Sequence, residues 1–365
     1  MNEIRVLHID TAKTWRGGQQ QAAYLHTFLN DHAFFSLMIC QPHSAMEEYC
    51  KQHELLFVSI NMYGELDVKA VYQIVRIIKK NHCTILHAHT AHALSIGILC
   101  KIFHKNIHLV GVRRVAFSIR KNALSAWKYK TSLINKLVCI SKSIKQILIA
   151  EGIPKTKIST IYSGIDIHKF DACLPADFIK EKYNILENDK IVTTIAALER
   201  NKDYITLLHA AQRVLEIDKN VTFLSIGAGS REKELKDTAQ KLQIDDKFQF
   251  LEFHKDVGPY LKITDIFLLV SKKEGLGSSI LDALSVGLPV IATNTGGIPE
   301  VVTNNVNGLL VPTENPEKLS HAIIHLLKND KLRLTLSQSA KESVRKFSVD
   351  AMYRKYLKLY EKLTK

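Results

Sequence analysis

The stretch from Ser271 to Val302 constrains the fold more than any other part of this chain. It begins at the end of an apolar run, 265–271, whose length and glycine-bearing exit are typical of a buried parallel strand. A predicted helix, 278–286, follows, and a second apolar strand, 290–293, comes after it. Strands that alternate with helices in this way predict a parallel sheet covered by helices on both faces.

Two glycine-bearing loops in this stretch precede predicted helix starts. Gly275 and Gly277 precede the first helix, and the pair 296–297 precedes the second. Unpaired backbone N–H groups and the helix dipole favour an anion at such a position. Two carboxylates flank the first start, Glu274 just before the helix and Asp282 one turn inside it. An anion site beside two carboxylates suits a sugar nucleotide, which presents hydroxyl groups around a diphosphate.

This segment resembles the E-x7-E signature of retaining glycosyltransferases with the GT-B fold, the large family 4 in particular. Glu274 and Asp282 stand eight positions apart, as the two family glutamates do, and the second is an aspartate here. Gly287-Leu-Pro289 and the segment 296–300 occur in the same register. The resemblance implies that Glu274 contacts the donor sugar and that Asp282 contacts the nucleotide ribose. A bare βαβ unit with a solvated helix start is the alternative interpretation.

The resemblance covers nearly the whole chain and implies an α/β architecture. We expect two Rossmann-like, doubly wound parallel-sheet domains that face a central cleft, with a C-terminal helix that crosses back to the first domain. The predicted divisions are an acceptor-binding domain at 1–172, a nucleotide-sugar domain at 173–347, and the helix at 348–365, which packs on the first domain. A basic helix on a membrane surface is the alternative for the last segment.

The first predicted strand, 4–9, runs into a loop that ends in Gly17 and Gly18. This is the first strand–helix turn, a position at which open parallel sheets bind ligands. The family carries a Gly-Gly loop here that faces the donor phosphates and the acceptor. The resemblance therefore places Gly17 and Gly18 at the ligand.

Three histidines, His87, His89 and His92, lie at the exit of another predicted strand, 84–89. Three imidazoles are compatible with a metal site, but no carboxylate lies near them in sequence, and the resemblance implies metal-independent chemistry. We interpret His87 or His89 as cleft residues that bond the sugar or support the loop. An inert polar strand end is the alternative.

The next predicted strand ends in Arg113 and Arg114, where many family members have a histidine close to the donor sugar. Two guanidinium groups at a strand exit suit a clamp for a phosphate or carboxylate of the donor or acceptor. Plain surface charge is the alternative.

The second half repeats the strand–helix alternation. Lys202 matches the family lysine that binds the diphosphate, whereas Ala197 stands where the family has an arginine, and Arg200 is a substitute in the same loop. The expected reaction-centre residues are Glu274, Lys202, Arg113, Arg114 and His89. The expected nucleotide-sugar-binding residues are Gly17, Gly18, Lys202, Gly227, Glu274, Gly275, Leu276, Gly277, Ser278, Ser279 and Asp282.

The positive charge is concentrated in the first half. Residues 1–170 carry a net charge of +12 and residues 171–365 a net charge of +2, which together give +14. Nine basic and no acidic residues lie between 112 and 150. Such a field attracts anionic partners. We expect an anionic glycan or glycolipid acceptor and contact of 113–145 with an anionic membrane surface; a solvated face is the alternative.

Composition sets the remaining expectations. The six cysteines are scattered without metal-ligand spacing, which predicts a reducing compartment. No apolar run reaches the roughly 18–20 residues of a membrane span, and the N-terminus lacks a signal-peptide pattern. We expect a cytoplasmic enzyme at the inner face of the membrane, without a cofactor, that builds lipopolysaccharide or another surface polysaccharide. A sugar-nucleotide epimerase of the same fold and a non-catalytic nucleotide- or nucleic-acid-binding protein are the alternatives, although no RNA-reading motif is present.

Overall fold

The structure is a computed structural model that describes residues 3–119, 123–171 and 177–365. The chain forms two compact units, residues 1–164 together with 349–365, and residues 165–348. The predicted boundary between 172 and 173 lies outside the described residues. None of the helices in the described ranges is long and apolar enough to cross a bilayer.

Unit 1 alternates strands and helices along the chain. Its elements are β1 (Arg5–Ile9), α1 (Gly17–Asp31), β2 (Phe35–Cys40), α2 (Ala45–Gln52), β3 (Phe57–Ser59), α3 (Val68–Lys80), β4 (Ile85–Ala88), α4 (Ala91–Phe103), β5 (His108–Arg113), α5 (Ala123–Lys130), β6 (Lys136–Cys139), α6 (Lys142–Ala150) and β7 (Ile158–Thr160). The last helix of the chain, Val349–Thr364, also belongs to this unit.

The sheet of unit 1 is parallel throughout and has the order β3-β2-β1-β4-β5-β6-β7. The strand order reverses between β1 and β4. The chain leaves these two strands towards opposite faces of the sheet, which opens a crevice at their carboxyl ends. The residues that follow β1 and β4 therefore meet at the ligand-binding edge of this unit.

Apolar spacing explains why the helices of unit 1 form and how they pack. In α3, Val71, Ile74 and Ile78 recur at helical spacing and are buried. Burial of each such side chain stabilises the fold by about 1.5–3 kcal/mol. Asp67 caps the helix by accepting the backbone N–H of Ala70 at 3.0 Å.

Unit 2 repeats the plan. Its elements are α7 (Asp177–Lys182), β8 (Lys190–Ile195), α8 (Tyr204–Ile217), β9 (Val221–Ile226), α9 (Glu232–Lys241), β10 (Phe248–Leu251), α10 (Gly258–Lys262), β11 (Ile266–Leu269), α11 (Ser278–Ser285), β12 (Val290–Thr293), α12 (Ile298–Val301), β13 (Gly308–Val311), α13 (Pro316–Leu327) and α14 (Asp330–Val344). The final helix of the chain is numbered α15 (Val349–Thr364), and two short 3-10 helices lie at Lys155–Lys157 and Arg345–Phe347.

The sheet of unit 2 is parallel and has the order β10-β9-β8-β11-β12-β13. Its strand order reverses between β8 and β11, so the second ligand-binding edge lies at the carboxyl ends of those two strands. The apolar faces of α8 and α13 pack on this sheet through buried residues such as Leu208 and Ile323. The prediction of two Rossmann-like parallel-sheet domains is confirmed.

Candidate functional site

The loops after β8 and β11 run side by side at the ligand-binding edge of unit 2. The N–H of Asp203 donates to the carbonyl of Val270 at 3.0 Å, and the N–H of Lys272 donates to the carbonyl of Asn201 at 2.9 Å. Lys202 and Ser271 face each other in this short antiparallel contact. The backbone pairing thus brings Lys202 next to Glu274, although 72 positions separate them in sequence.

Glu274 is held by three groups. Its Oε2 atom forms an ion pair with the ammonium of Lys202 and accepts the hydroxyl of Ser271 at 3.2 Å. Its Oε1 atom accepts the backbone N–H of Gly275 at 3.0 Å. Only 16% of the Lys202 side chain and 14% of the Glu274 side chain are exposed. The carboxylate therefore has one orientation, and the ammonium is positioned to exchange this partner for an anionic ligand.

The loop after β12 supports the Glu274 loop from behind. Gly296 has φ +55°, and a Cβ atom there would overlap the carbonyl of Glu274. The N–H of Gly297 donates to that same carbonyl at 3.2 Å. The sequence predicts a second anion site at 296–297. In the structure the N–H of Gly297 is not open to an anion, because it holds the Glu274 loop.

The start of α11 is open for an anion. Gly277 is its N-cap in the left-handed conformation, φ +84°, and has no side chain to cap the helix. Leu276 is buried, so this residue offers only its backbone to a ligand. Ser278 is exposed and Ser279 is half-buried at the first turn. The predicted residues 275–279 thus form one glycine-bearing helix start directly after the Glu274 carboxylate.

Asp282 lies in the same helix, and its carboxylate contacts Lys169, which lies near the start of unit 2. The Lys169 ammonium lies 3.7 Å from Asp282 Oδ1. Burial raises the pKa of the Asp282 carboxyl, and the Lys169 ammonium opposes that rise. Lys169 is a site residue that the sequence analysis missed, since no motif marks it.

The remaining predicted donor residues lie in the loops beside this site. Gly227 follows β9. A Cβ atom at Gly227 would overlap the carbonyl of Ala196, so the glycine allows the loops after β8 and β9 to pack together. Ala197 and Arg200 are exposed. Arg231 lies in the neighbouring loop and donates to Glu234 at 2.8 Å through Nε.

The ligand-binding edge of unit 1 brings Gly17 and Gly18 together with Arg114. Helix α1 begins at Gly17 without a side-chain cap in the described chain. A Cβ at Gly18 would come within 3.3 Å of Arg114 Cδ, so the arginine lies against the helix start. Burial lowers the pKa of Arg114, although a guanidinium stays charged at neutral pH. Its Nε has no hydrogen-bond partner among the described residues. A charged donor and open helix N–H groups together suit a phosphate or carboxylate.

Asp10, at the exit of β1, faces the same edge and was not predicted. Gln19 Nε2 donates to its Oδ2 at 2.9 Å, and the N–H of Ala12 donates to its Oδ1 at 2.8 Å. Burial raises the pKa of Asp10, whereas these hydrogen bonds and the Arg114 charge lower it. The carboxylate offsets part of the charge of Arg114.

Arg113 is used differently from Arg114. Its guanidinium donates to the carbonyl of Phe117 at 2.6 Å and to the hydroxyl of Tyr129 at 3.1 Å. It also lies over the Tyr129 ring. These contacts tie the loop after β5 to α5. Of the two arginines predicted to bind a phosphate or carboxylate, only Arg114 therefore faces the ligand-binding edge.

His89 belongs to a buried group of imidazoles rather than to an open surface. His89 Nε2 lies 2.9 Å from His8 Nδ1, and His8 Nε2 lies 3.1 Å from Ser36 Oγ. His26 Nδ1 lies 2.6 Å from the same hydroxyl, and His87 Nδ1 lies 2.7 Å from Tyr360 Oη on α15. His92 is not part of this group.

Burial keeps these imidazoles neutral. It lowers the pKa of His26 to about 4 and that of His87 to about 3, and it holds His8 and His89 well below the usual value. Ring atoms of His8, His87 and His89 lie within 4.8 Å of one another, so these three could contact a metal ion. Arg114 acts on His87 and His89 as a nearby positive charge, which disfavours a dication beside three imidazoles that no carboxylate of the described residues joins.

Comparisons with known proteins cover both units. The model of glycosyltransferase family 4 matches residues 16–169, and the model of glycosyl transferases group 1 matches residues 175–343. An Escherichia coli UDP-Gal:alpha-D-GlcNAc-diphosphoundecaprenol alpha-1,3-galactosyltransferase is 24% identical over 94% of this chain and 92% of its own length. A Bacillus anthracis N-acetyl-alpha-D-glucosaminyl L-malate synthase is 25% identical over 83% of this chain and 81% of its own length.

Solved structures agree on the fold. A Rickettsia africae glycosyltransferase superposes with a TM-score of 0.88 at 23% identity, with all of both chains covered. Anabaena HepE in complex with UDP and glucose superposes with a TM-score of 0.87 at 18% identity, over 98% of this chain and 100% of the other. With the site geometry, the two family matches show that this chain belongs to the GT-B glycosyltransferases, with a family 4 first unit and a group 1 second unit.

Proposed function

We propose that this glycosyltransferase is a retaining enzyme of surface-glycan assembly. It takes a sugar from a nucleotide-diphosphate donor bound by unit 2 and transfers it to an anionic glycan or lipid-linked acceptor bound by unit 1. The ion pair of Lys202 and Glu274 beside the open start of α11 carries this proposal. It combines a cation and N–H groups for a diphosphate with an oriented carboxylate for sugar hydroxyls.

The residues of unit 2 have distinct roles in this reaction. The donor diphosphate takes the Lys202 ammonium from Glu274 and accepts N–H groups of residues 276–279, because the N–H of Gly275 holds Glu274. Glu274 then accepts hydrogen bonds from hydroxyl groups of the sugar, and Asp282 accepts hydrogen bonds from the hydroxyl groups of the ribose. As the bond from the anomeric carbon to the phosphate oxygen breaks, negative charge grows on the diphosphate, where Lys202 and the helix start stabilise it.

The acceptor oxygen attacks the anomeric carbon on the same face from which the diphosphate departs. The departing diphosphate takes the acceptor proton. The new bond keeps the anomeric configuration because it forms on the face from which the diphosphate leaves. Arg114 and the α1 start bind an anionic group of the acceptor or the donor phosphates, and His89 supports this edge through His8. Arg113 acts indirectly by holding the loop after β5.

The acceptor class is supported by relatives and by charge. The E. coli relative and a Campylobacter jejuni relative, 26% identical over 66% of this chain, are both named for diphosphoundecaprenol-linked acceptors. Fewer of the basic residues between 113 and 145 are exposed than the sequence predicts, because Arg113 and Lys128 are buried. Residues 120 and 121 lie outside the described chain. An open groove of about 660 Å³ lined by Lys142, Lys145 and Lys155 keeps basic residues on the surface. We place the enzyme at the inner face of the cell membrane.

Thermal unfolding with a panel of nucleotide diphosphates and their sugars tests the donor site. A ligand that binds only the folded state must raise the melting temperature. We expect one sugar nucleotide to stabilise the wild type. Lys202→Met should lose the response to the nucleotide diphosphate, and its kcat should fall roughly 100–1,000-fold. Glu274→Gln should keep the response to the nucleotide diphosphate and lose the added response to the sugar.

Glu232→Gln is the matched control, since Glu232 lies on the surface of unit 2 in a pair with Lys236. It should respond as the wild type does. A wild type that no nucleotide stabilises would refute the donor site. NMR of the first product checks retention, and conversion of the donor to an epimer without acceptor would instead favour an epimerase.

A further inference from the structure

A chain of hydrogen bonds crosses the interior of unit 1 from a backbone carbonyl to His89. His26 Nε2 lies 3.1 Å from the carbonyl oxygen of Leu56, and His26 Nδ1 lies 2.6 Å from Ser36 Oγ. Ser36 Oγ lies 3.1 Å from His8 Nε2, and His8 Nδ1 lies 2.9 Å from His89 Nε2. All four side chains are buried. We call them the histidine chain.

The first bonds of the histidine chain fix where its protons lie. A carbonyl oxygen can only accept, so His26 donates to Leu56 through Nε2–H and keeps a lone pair at Nδ1. Asn30 Nδ2 lies 3.2 Å from that Nδ1 and also donates to the carbonyl of His26 at 2.8 Å. An amide nitrogen only donates, so this contact assigns the same lone pair independently. Ser36 therefore gives its single proton to His26.

The assignment continues to His89. Because the Ser36 proton is used by His26, the Ser36 oxygen accepts from His8 Nε2–H. Burial keeps these rings neutral, and a neutral imidazole carries one proton. His8 Nδ1 therefore accepts from His89 Nε2–H, and His89 Nδ1 carries a lone pair. All the bonds run in one direction, so their dipoles add and the negative end lies at His89 Nδ1.

Arg114 lies at this negative end of the histidine chain. Burial lowers the pKa of His89, and other imidazoles and the Arg114 charge lower it further. The pKa of His8 is lowered by burial and by two other imidazoles. His89 Nδ1 and Arg114 Nε are both buried without a hydrogen-bond partner in the described part of the chain. The guanidinium is thus close to the last ring of the histidine chain.

The Arg114 guanidinium needs compensation for its burial. Burial lowers its pKa, and the nearby Tyr356 and Asp10 oppose that effect. Both oxygens of Asp10 already accept hydrogen bonds from other groups. A lone pair at His89 Nδ1 adds negative potential beside the guanidinium, whereas the opposite tautomer would place a positive N–H there. A buried charge is costly without such compensation.

We propose that the histidine chain holds the Arg114 guanidinium at the start of α1 by directing the lone pair of His89 towards it. Ser36, His8 and His26 are positioning residues that act through His89. The inference rests on the proposed function in one respect, namely that Arg114 binds an anionic group of the acceptor or donor. The direction of the histidine chain and its hold on the guanidinium require no ligand.

Nitrogen-15 NMR of the ligand-free wild type tests the direction of the histidine chain. We expect His8, His26 and His89 to carry their protons on Nε2. The Arg114 Nε–H resonance, assigned by its loss in Arg114→Lys, should exchange slowly with solvent. A proton on Nδ1 of His8 or His89 would overturn the inference.

His26→Phe should reverse the histidine chain. It keeps a ring but removes the acceptor of the Ser36 proton, so the hydroxyl donates to His8 Nε2 instead. His8 and His89 then carry their protons on Nδ1, and the Arg114 Nε–H should exchange roughly tenfold faster or more. Inorganic phosphate, titrated at the same resonance, should bind roughly tenfold more weakly. Ser36→Ala, which breaks the chain at one atom, should give mixed tautomers and a smaller effect in the same direction.

Ser95→Ala is the matched control, since it removes another buried hydroxyl of unit 1, one that donates to Glu65. It should leave tautomers, exchange and phosphate affinity as in the wild type. Reversed tautomers in His26→Phe with unchanged Arg114 exchange would overturn the inference, and so would unchanged phosphate affinity.

The proposed function is tested separately. A wild-type Arg114 resonance that does not respond to phosphate would refute the anion-binding role of this residue, while the exchange rates still test the histidine chain. All the variants should keep the melting response to the donor nucleotide, because the proposed donor site lies in unit 2. The inference can therefore fail while the donor site stands, or the reverse.

Discussion

At the scale of single residues, we expect Asp282 and Lys169 to determine how the proposed nucleotide site responds to pH. Burial raises the pKa of Asp282 and Lys169 lowers it, so Lys169→Met should raise this pKa further. The carboxylate would then take up a proton at a higher pH and could no longer accept the hydrogen bonds from the ribose that we propose for it. We expect the affinity of the variant for the nucleoside diphosphate to fall at a higher pH than that of the wild type, measured by calorimetry from pH 5 to 8.

Asp282→Asn supplies the control, because an amide has no proton to gain in this range. It should weaken binding about tenfold or more, as expected for a lost hydrogen bond to a charged group, and its pH profile should keep only the titration of the ligand's terminal phosphate, whose second pKa is about 6. Identical pH profiles for the wild type and Lys169→Met would show that Lys169 does not act on Asp282.

At the scale of elements, the turn after β12 determines where the Glu274 loop lies. Gly296→Ala places a side chain at φ +55° and against the carbonyl of Glu274. We expect the free energy of unfolding of unit 2 to fall by about 1–3 kcal/mol and kcat to fall with it, because the carboxylate moves with its loop. Thermal unfolding and initial rates measure the two effects.

Gly64→Ala is a matched substitution, since a Cβ at Gly64 meets open space. Its stability and rate should stay near those of the wild type. A Gly296→Ala enzyme with unchanged kcat would mean that the loop tolerates displacement and that the glycine serves packing alone.

At the scale of the whole molecule, the buried histidines should make unit 1 more sensitive to acid than unit 2. Folded His26 and His87 have pKa values of about 4 and about 3, whereas the unfolded chain binds protons near 6.5. Their stabilising contribution is complete above pH 6.5 and falls as the pH drops towards 4, by about 1.4 kcal/mol per pH unit for each histidine. Calorimetry at pH 7.5, 6 and 5 should show the transition of unit 1 moving down.

Hydrogen exchange assigns the transition to its unit. Amides of β1 and β4 should lose protection between pH 7.5 and 5, whereas those of β8 and β11 should change less, after correction for the intrinsic exchange rate. Equal losses in both units would show that the imidazoles contribute little to the pH dependence.

The sequence by itself determined the fold class, and it indicated the segment around Glu274 in which we propose the donor site. Apolar runs of strand length, helical periodicity and glycine-bearing turns are local features, so the alternation of strands and helices follows from them. The loop around Glu274 was recognisable for the same reason, because its carboxylates, glycines and helix start lie within one short stretch. The open α11 start, with Leu276 buried behind it, follows from this local pattern.

Only the tertiary structure decided which distant residues share a site. The order of strands places the exits of β8 and β11 side by side, and this alone joins Lys202 to Glu274. Tertiary packing likewise gives Arg113 and Arg114 different surroundings, and it pairs His89 with His8, which is 81 positions away in sequence. These assignments depend on backbone hydrogen bonds and burial between parts of the chain far apart in sequence, and a pattern of residue types does not contain that information.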